Sequence, residues 1–508
     1  MKRTAFIVVT CALACALSIG AQEEHSHPAP ERLGSVTFPT SCAPSLQPGF
    51  ERGVALLHSF AYAAAEQAFR SVADTDASCA MAHWGIAMSY FHQLWEPPQP
   101  EELRKGLAEI DTARRLGARS ARERQFIEAA AAYYRDADNL AHAVRAKAYE
   151  RALAEVAKTN PSDVEAQIFY ALALIATASP TDRTHANQKQ AAGLLEPLFR
   201  TLPQHPGVAH YLIHAYDSAE LAPRGLAAAR AYSGIAPSAP HALHMPSHIF
   251  TRLGYWDDSI ASNRAARAAA HAEGDLGEEL HAMDYMTYAY LQRGLESDAG
   301  RLVDDLRAKT GLLGAQFKVG YAATAIPVRF AVERRQWATA ASLQPLSQSA
   351  PHIAAIVYWA RAIAHARSGH PQDPDTDLAN LTDCLYQLQA SGNGYWSTQV
   401  DVLNKEAQAW RLEAEGRADE ATQRMRSAAD EEDAVEKLPV TPGPIVPARE
   451  QLAEMLLELK HPQDALREFQ SALLAAPGRR GALTGAVRAA ELVGDVQTAA
   501  RFRAELSK

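Results

Sequence analysis

The sequence predicts an all-α fold in which antiparallel helix pairs stack into a solenoid. Ala-rich units of helix, short break and second helix recur along the chain, and no run alternates apolar and polar residues as a half-buried strand would. One helix pair cannot bury both of its apolar faces, so neighbouring pairs must stack into a continuous core that curves. We expect the concave side of that curve to carry the function.

The clearest unit is HALHMPSHIFTRLGYWDDSIASNRAARAA, which begins at His241 and turns at Leu253-Gly254. A later unit over residues 446–478 carries Ala465, Phe469, Ala472 and Pro477 at regular spacing. These units resemble the tetratricopeptide repeat family, which has about 34 residues per unit and small residues at the helix crossing. The resemblance implies a right-handed α-solenoid of about a dozen pairs over residues 45–508, with each first helix lining the concave side.

The N-terminus is typical of an export signal. Lys2 and Arg3 precede an apolar run over residues 5–19 that ends in small residues, which is the pattern of a secretory signal peptide. We predict a signal peptide over residues 1–21, a flexible leader over 22–44, and a periplasmic or secreted bacterial repeat protein. No later stretch approaches the roughly 18 apolar residues of a membrane helix, so we predict no membrane span.

Charge and cysteines limit the partners and the covalent links. The 508 residues carry a net charge of -9 and no basic face, so we predict no nucleic-acid partner. Cys11 and Cys15 leave with the signal. Of the remaining three cysteines, we expect Cys42 and Cys79 to pair, because each precedes a predicted helix near the N-terminal end. The alternative is that both are free, buried thiols.

Three successive first helices carry polar residues on one stripe. The stripes occupy a central region of about residues 206–290, and their members are His210, His214 and Asp217, then His241, His244 and His248, then His281, Asp284 and Tyr288. The pair His210 and His214 recurs one repeat later as His244 and His248, and the whole second stripe recurs with the same internal spacing as the third. Equivalent positions face the same way, so we expect one contiguous, solvated, ligand-binding patch on the concave wall.

This patch has the chemistry of a binding site. Neutral imidazoles bind zinc, copper and nickel, and two histidines at i and i+4 on one helix can hold one ion. We expect the metal ligands to be His210, His214, His244 and His248, with Asp217 and Asp284 completing the shell or orienting an imidazole. No HExxH, GxSxG or CxxC motif accompanies the cluster, so no enzyme class is predicted.

Two functions stay open from the sequence. The first, which we favour at this point, is a metal-free binding or scaffolding protein that holds a protein segment or small ligand in a concave groove. The alternative is a metal-binding protein or a metal-dependent enzyme built on the histidine patch. The proline-rich residues 437–447 cannot be helical; we expect a stiff linker there, with a lid over the concavity as the alternative.

Overall fold

The computed structural model describes residues 31–92, 94, 97–368 and 375–507. In these residues every regular element is a helix, and the fold is an all-α solenoid. The expected signal peptide and the first part of the expected leader lie outside the described residues. None of the described helices has the length and apolar character needed to cross a membrane.

The helices follow one another as antiparallel neighbours along the solenoid. After a short 3-10 turn (Pro44–Leu46), the first third of the chain forms α1 (Gln47–His58), α2 (Tyr62–Thr75), α3 (Ala80–Tyr90), α4 (Pro100–Leu116), α5 (Ala121–Tyr134), α6 (His142–Thr159), α7 (Val164–Ala176) and α8 (Ala186–Thr201). The middle forms α9 (Pro206–Tyr216), α10 (Ala222–Ile235), α11 (Pro240–His244), α12 (Pro246–Arg252), α13 (Trp256–Glu273), α14 (Leu276–Gln292) and α15 (Glu296–Arg307).

The last third of the chain continues the same pattern. It forms α16 (Phe317–Glu333), α17 (Trp337–Ala341), α18 (Pro351–Arg367), α19 (Asp375–Ala390), α20 (Gly394–Ala414), α21 (Ala418–Asp433), α22 (Ala448–Glu458), α23 (Pro462–Ala475), α24 (Arg480–Leu492) and α25 (Val496–Leu506). Capping side chains fix the N-terminal ends of several of these helices. Ser120 caps α5 by accepting from the backbone N–H of Glu123, and Asp275 caps α14 by accepting from that of Glu278.

The second histidine stripe crosses a break in its helix. Pro246 has no backbone N–H, so the helix divides into α11 and α12 at Met245. Met245 itself keeps right-handed helical angles, with φ -52° and ψ -36°. Because the backbone continues almost as a helix through this break, His241, His244 and His248 still face the same side.

The solenoid folds back on its own middle at both ends. Near the N-terminus, the backbone N–H of Ser35 donates to the carbonyl of Gln204 at 2.8 Å. Near the C-terminus, the indole N–H of Trp256 donates to the carbonyl of Gly478 at 3.1 Å. Gly254 allows the C-terminal segment to approach this closely, because a Cβ at position 254 would lie 2.5 Å from the carbonyl oxygen of Pro477. The first helix of each central pair, which would line the groove of an open solenoid, is therefore buried inside the protein.

The last part of the expected leader lies within the described residues. Residues 32–43 form no regular element and pack against the helices, with the Phe38 ring fully buried. The Ser41 hydroxyl donates to the Glu123 carboxylate at 2.8 Å. A disulfide joins Cys42 to Cys79, whose Cα atoms are 4.8 Å apart, while Cys384 is buried and free. Aromatic burial and these polar contacts hold this segment in place.

The proline-rich segment is a strap, which we define as residues 436–447. It crosses the first helices of the central repeats, and Val440, Thr441 and Ile445 on it are buried. Its carbonyls accept from neighbouring side chains: the Arg329 guanidinium donates to the Pro444 carbonyl at 2.9 Å and the Gly443 carbonyl at 3.2 Å. The segment is non-helical, as expected, but it covers the concavity rather than only linking two helices.

The disulfide provides a test of the N-terminal packing. Replacing both partners, as in Cys42→Ser with Cys79→Ser, opens a link across a sequence separation of 37 residues. Because the bridge restricts the unfolded chain, we expect the free energy of unfolding to fall by about 2–4 kcal/mol in urea titrations followed by circular dichroism. Cys384→Ser is the control, since it alters a buried sulfur without breaking a link. Equal losses in both variants would contradict a stabilising bridge.

A buried histidine cluster

The six histidines of the three stripes meet in one cluster, contributed by α9, α11, α12 and α14. Ring centroids are 5.1 Å apart for His210 and His241, and 5.8 Å apart for His214 and His248. The rings of His244 and His281 are 4.4 Å apart. The patch inferred from the repeat spacing is thus contiguous in space.

The expectation that this patch is solvated is wrong. The six side chains are only 0–6% exposed. The reason lies in the closure of the solenoid: its ends fold back and the strap crosses the first helices, so the concave wall is enclosed by protein. The histidines are interior polar groups, and each needs a partner in place of water.

The cluster divides into two groups of three, which we call site A and site B. In site A, one nitrogen from each of His210, His214 and His241 lies within 4.8 Å of the others. In site B, the same holds for His244, His248 and His281. The four-histidine set expected from the sequence is therefore split between two groups, and His241 and His281 complete them.

Repeat symmetry relates the two sites. Each contains an i, i+4 pair from one repeat and a single histidine from the first helix of the next repeat. The pair of site A, His210 and His214, corresponds to the pair of site B, His244 and His248, and His241 corresponds in the same way to His281. One geometry has been built twice by successive turns of the solenoid.

Hydrogen bonds outside site A fix the proton on His210. Its Nδ1 lies 2.6 Å from the backbone carbonyl of His58, which can only accept, so Nδ1 carries the proton. In neutral His210 the lone pair is then on Nε2, which lies 3.0 Å from Nε2 of His214. The protein thus orients the His210 lone pair into the site.

In site B both members of the pair are fixed in this way. His244 donates from Nδ1 to the amide oxygen of Asn263 at 2.6 Å, and His248 donates from Nδ1 to the Asp217 carboxylate at 2.9 Å. The Asn263 side chain is oriented with its amide oxygen towards His244, because its amide N–H donates to the Ser259 carbonyl at 2.8 Å. In neutral imidazoles both lone pairs then lie on Nε2, and these two atoms are 3.0 Å apart.

Two lone pairs facing each other at this distance repel unless a cation lies between them. A proton is disfavoured, because burial holds the pKa of His244 well below its usual range and lowers the pKa of His248 to about 4. A metal ion fits the pair better. Nitrogen ligands about 2.0–2.1 Å from a tetrahedral ion are roughly 3.3 Å apart, close to the spacing in both pairs.

Carboxylates at the edge of the cluster are held in ion pairs. Asp217, which accepts from His248, lies 2.8 Å from Nε of Arg252 and 3.1 Å from Nζ of Lys437 on the strap. Glu278 lies 3.3 Å from Nδ1 of His241 and 2.5 Å from Nζ of Lys318. These cations hold the pKa of both carboxyls well below its usual range, despite burial that opposes ionisation.

Several of these outer partners were not found from the sequence. Glu278 precedes His281 by one helical turn on the same helix, and that spacing was a usable signal. Asn263, Lys437 and the His58 carbonyl come from other helices or from the strap. Nothing in the local sequence indicates their contact with the cluster.

The predicted site residues Asp284 and Tyr288 lie one repeat further on and do not join either group of three. Asp284 pairs with the buried guanidinium of Arg329, whose Nε lies 3.4 Å from the carboxylate. The Arg329 guanidinium also lies 4.8 Å from the centre of the Tyr288 ring. At the positions equivalent to His244 and His248, the next repeat thus has a carboxylate and a phenol in place of imidazoles, and the Arg329 guanidinium lies beside them.

A further buried group lies beside site A. Glu165 accepts from Nε2 of His58 and from Nε2 of His205, both at 2.9 Å. The phenol of Tyr211 lies 2.9 Å from Nδ1 of His58. Both ring nitrogens of His58 thus have hydrogen-bond partners, which fix the side chain. The backbone carbonyl of His58 accepts the hydrogen bond from Nδ1 of His210. We interpret this group as the support of site A.

A cavity of about 600 Å³ reaches site A from the surface. His241 and Glu278 lie at its buried end, Phe60 and Tyr62 form part of its wall, and Asp275 stands exposed near its rim. A smaller cavity of about 110 Å³ lies beside His214 under the strap. The cluster is therefore enclosed but approachable through the first cavity.

Comparison with known proteins assigns no family to the chain. No family model matches the sequence, and a search of curated proteins finds no match. Among solved structures, the human IFIT1 dimer with m7Gppp-AAAA is 12% identical over 84% of this chain and 89% of that chain, with a TM-score of 0.35. The human IFIT1 dimer with PPP-AAAA is 11% identical over 84% and 90%, with a TM-score of 0.35. Likeness this distant carries no argument about ligands.

Burial of the imidazoles predicts a pH dependence for the chelator-treated protein. The pKa of each of His210, His214, His244, His248 and His281 is lowered from 6.5, mainly by desolvation. Below 6.5 the unfolded chain binds protons that the folded chain does not, so stability falls as pH falls from 6.5 towards the folded pKa. For His248, with a folded pKa of about 4, the loss is about 3 kcal/mol.

Urea unfolding in chelator at a series of pH values between 7 and 4 measures this dependence. The double variant His244→Asn with His248→Asn lacks two of the buried imidazoles. Its free energy of unfolding should therefore change less with pH than that of the wild type. His271→Asn should leave it unchanged, because the His271 side chain is 74% exposed. A stability that stays constant from pH 7 to 5 would show that the imidazoles take up protons over the same pH range in the folded and the unfolded chain, and therefore that burial does not lower their pKa.

Proposed function

We propose that this protein binds transition-metal ions, one at site A and one at site B. The single observation that carries the proposal is the arrangement of the paired Nε2 atoms. In site B, Asn263 and Asp217 hold the Nδ1 protons of His244 and His248, so two lone pairs converge at 3.0 Å in a buried site. A neutral three-imidazole set of this kind suits zinc, copper, nickel or cobalt rather than magnesium or calcium.

The support around the pairs favours a metal site over a structural polar core. A core network is stable when every proton faces an acceptor. Here the outer contacts place protons away from the centre, and the paired nitrogens of site B face each other as two acceptors. Outward hydrogen bonds to a carboxylate, an amide or a carbonyl are also what metal-ligating histidines usually make.

The other function left open by the sequence was a groove that holds a protein segment or small ligand. In the described part of the chain, the strap and the solenoid ends cover the concave wall beside the cluster. The cavity of about 600 Å³ at His241 suits a small molecule or one side chain better than a helix. We keep a small ligand beside site A as the second candidate, and metal analysis separates the two.

The location of the protein belongs to the same proposal. The N-terminal pattern of Lys2, Arg3 and an apolar run supports export to the periplasm or beyond. A Cys42–Cys79 disulfide is compatible with an oxidising compartment. An exported repeat protein with buried imidazole sites would hold metal ions outside the cytoplasm.

Metal analysis of the untagged protein, after dialysis against a loading metal, tests the stoichiometry. We expect two ions per chain. His210→Asn with His214→Asn should remove the ion of site A, and His244→Asn with His248→Asn that of site B, leaving one ion in each case. Asparagine is chosen because its side-chain N–H replaces the outward Nδ1–H and keeps that hydrogen bond, while the inward nitrogen is lost.

His271→Asn again serves as the control and should retain both ions. Circular dichroism of each variant shows whether the helices are kept, which separates loss of a ligand from loss of the fold. If the folded wild-type chain carries no ion after loading, the cluster is a structural network and the metal proposal fails.

A further inference from the structure

We propose that the ions held at sites A and B are cuprous, Cu(I), rather than divalent. This inference rests on the proposed metal-binding function and names the ion that the sites take. It follows from the charge that surrounds the cluster, because Asp217 and Glu278, the carboxylates beside the histidines, are already paired with lysine or arginine before any ion is added.

The carboxylates that contact the six histidines, among the described residues, are Asp217 and Glu278. Asp217 is paired with Arg252 at 2.8 Å and Lys437 at 3.1 Å, and Arg252 in turn lies 3.2 Å from Glu436 on the strap. These four groups sum to zero charge, and Arg183, an exposed guanidinium that lies 3.1 Å from Glu436, adds a further positive charge at the outer end of the network. At site A, Glu278 is paired with Lys318 at 2.5 Å, again with no net charge.

Other buried charges nearby change this balance little. Asp284 is paired with Arg329. Glu165 is separated from site A by His58 and shares its charge between the imidazoles of His58 and His205. One net negative charge therefore remains near the cluster, and it contacts none of the six ligands.

Two divalent ions would place four positive charges in this environment, whereas two cuprous ions would place two. The cost of moving an ion from water into protein rises with the square of its charge, so each dication costs about four times as much as a monocation. Neutral imidazoles bring no negative charge to offset that cost. Metal sites for divalent ions commonly add a carboxylate or a thiolate, and here the carboxylates are occupied by lysine and arginine.

Coordination is compatible with a cuprous ion. Imidazole nitrogen is a good ligand for copper, as it is for zinc and nickel. Each site offers three such nitrogens within 4.8 Å of one another, drawn from buried side chains. Cu(I) and Zn(II) are both d¹⁰ ions without a d-electron preference for geometry, so the coordination admits either ion and the charge of the surroundings is what separates them.

The test compares ion preference in the full chain under anaerobic, reducing conditions. Cu(I) is supplied from a chromophoric Cu(I) chelator and Zn(II) from a chromophoric zinc chelator, so that each affinity is read from the competition. We expect two Cu(I) per chain, and we expect an equimolar addition of Zn(II) to leave both in place. X-ray absorption at the copper edge should show nitrogen ligands only.

Variants that remove a balancing cation make the test specific to charge. Lys437→Met removes one of the two cations that pair with Asp217 beside site B, and Lys318→Met removes the lysine that pairs with Glu278 beside site A. Because a dication gains twice what a monocation gains from the loss of a neighbouring cation, we expect zinc affinity to rise about tenfold and Cu(I) affinity about threefold. Lys405→Met is the matched control, since Lys405 contacts Asp401 on its own helix α20 and Glu431 on α21, outside the cluster, and its loss should change neither affinity.

The outcomes separate the two proposals. Two zinc ions that displace Cu(I) stoichiometrically, or cation variants that shift both affinities equally, would overturn the cuprous assignment while leaving the metal-binding function intact. Failure of every ion to bind the folded chain would remove both. Lys318 lies on α16, away from the strap, so its variant stays informative if Lys437→Met perturbs the strap.

Discussion

The closure of the solenoid on its own concave face is the constraint on which the rest of the structure depends. The contacts of Ser35 with Gln204 and of Trp256 with Gly478 bring both ends of the chain against the central repeats. An open solenoid of the same helices would leave the histidine stripes in water, where imidazoles have no need of partners. Closure removes that water, so every ring nitrogen has to be oriented by a protein group.

Groups outside the cluster orient the imidazoles. The His58 carbonyl, the Asn263 amide and the Asp217 carboxylate each accept a hydrogen bond from Nδ1 of a clustered histidine. The lone pairs on the Nε2 atoms of these histidines therefore point inward. Burial then keeps the imidazoles neutral by penalising their charged form. The folded chain holds two lone pairs close together because the surrounding helices determine the geometry, and an ion bound as we propose would relieve their repulsion.

Repetition explains why there are two sites and not one. Successive first helices present equivalent residues in equivalent directions, so a pair with its third histidine is copied one repeat further along. The next copy has changed: Asp284 and Tyr288 replace the imidazoles, and Arg329 supplies the positive charge. Equivalent positions of successive repeats can thus carry a group of three histidines in one repeat and an internal ion pair in the next, because each repeat contacts only its neighbours.

Much of this protein was determined by the sequence alone. Periodicity and turn residues predicted the all-α solenoid, and the recurrence of the histidine spacing from one repeat to the next placed His210, His244 and His281 on one wall. Both are local properties, set by the pitch of the α-helix and by the identity of equivalent helices. Burial of the cluster, its division into two groups of three and its charge balance were decided by tertiary structure. They depend on segments distant in the chain, such as Lys437 on the strap, because side chains that meet only through long-range packing leave no period in the sequence.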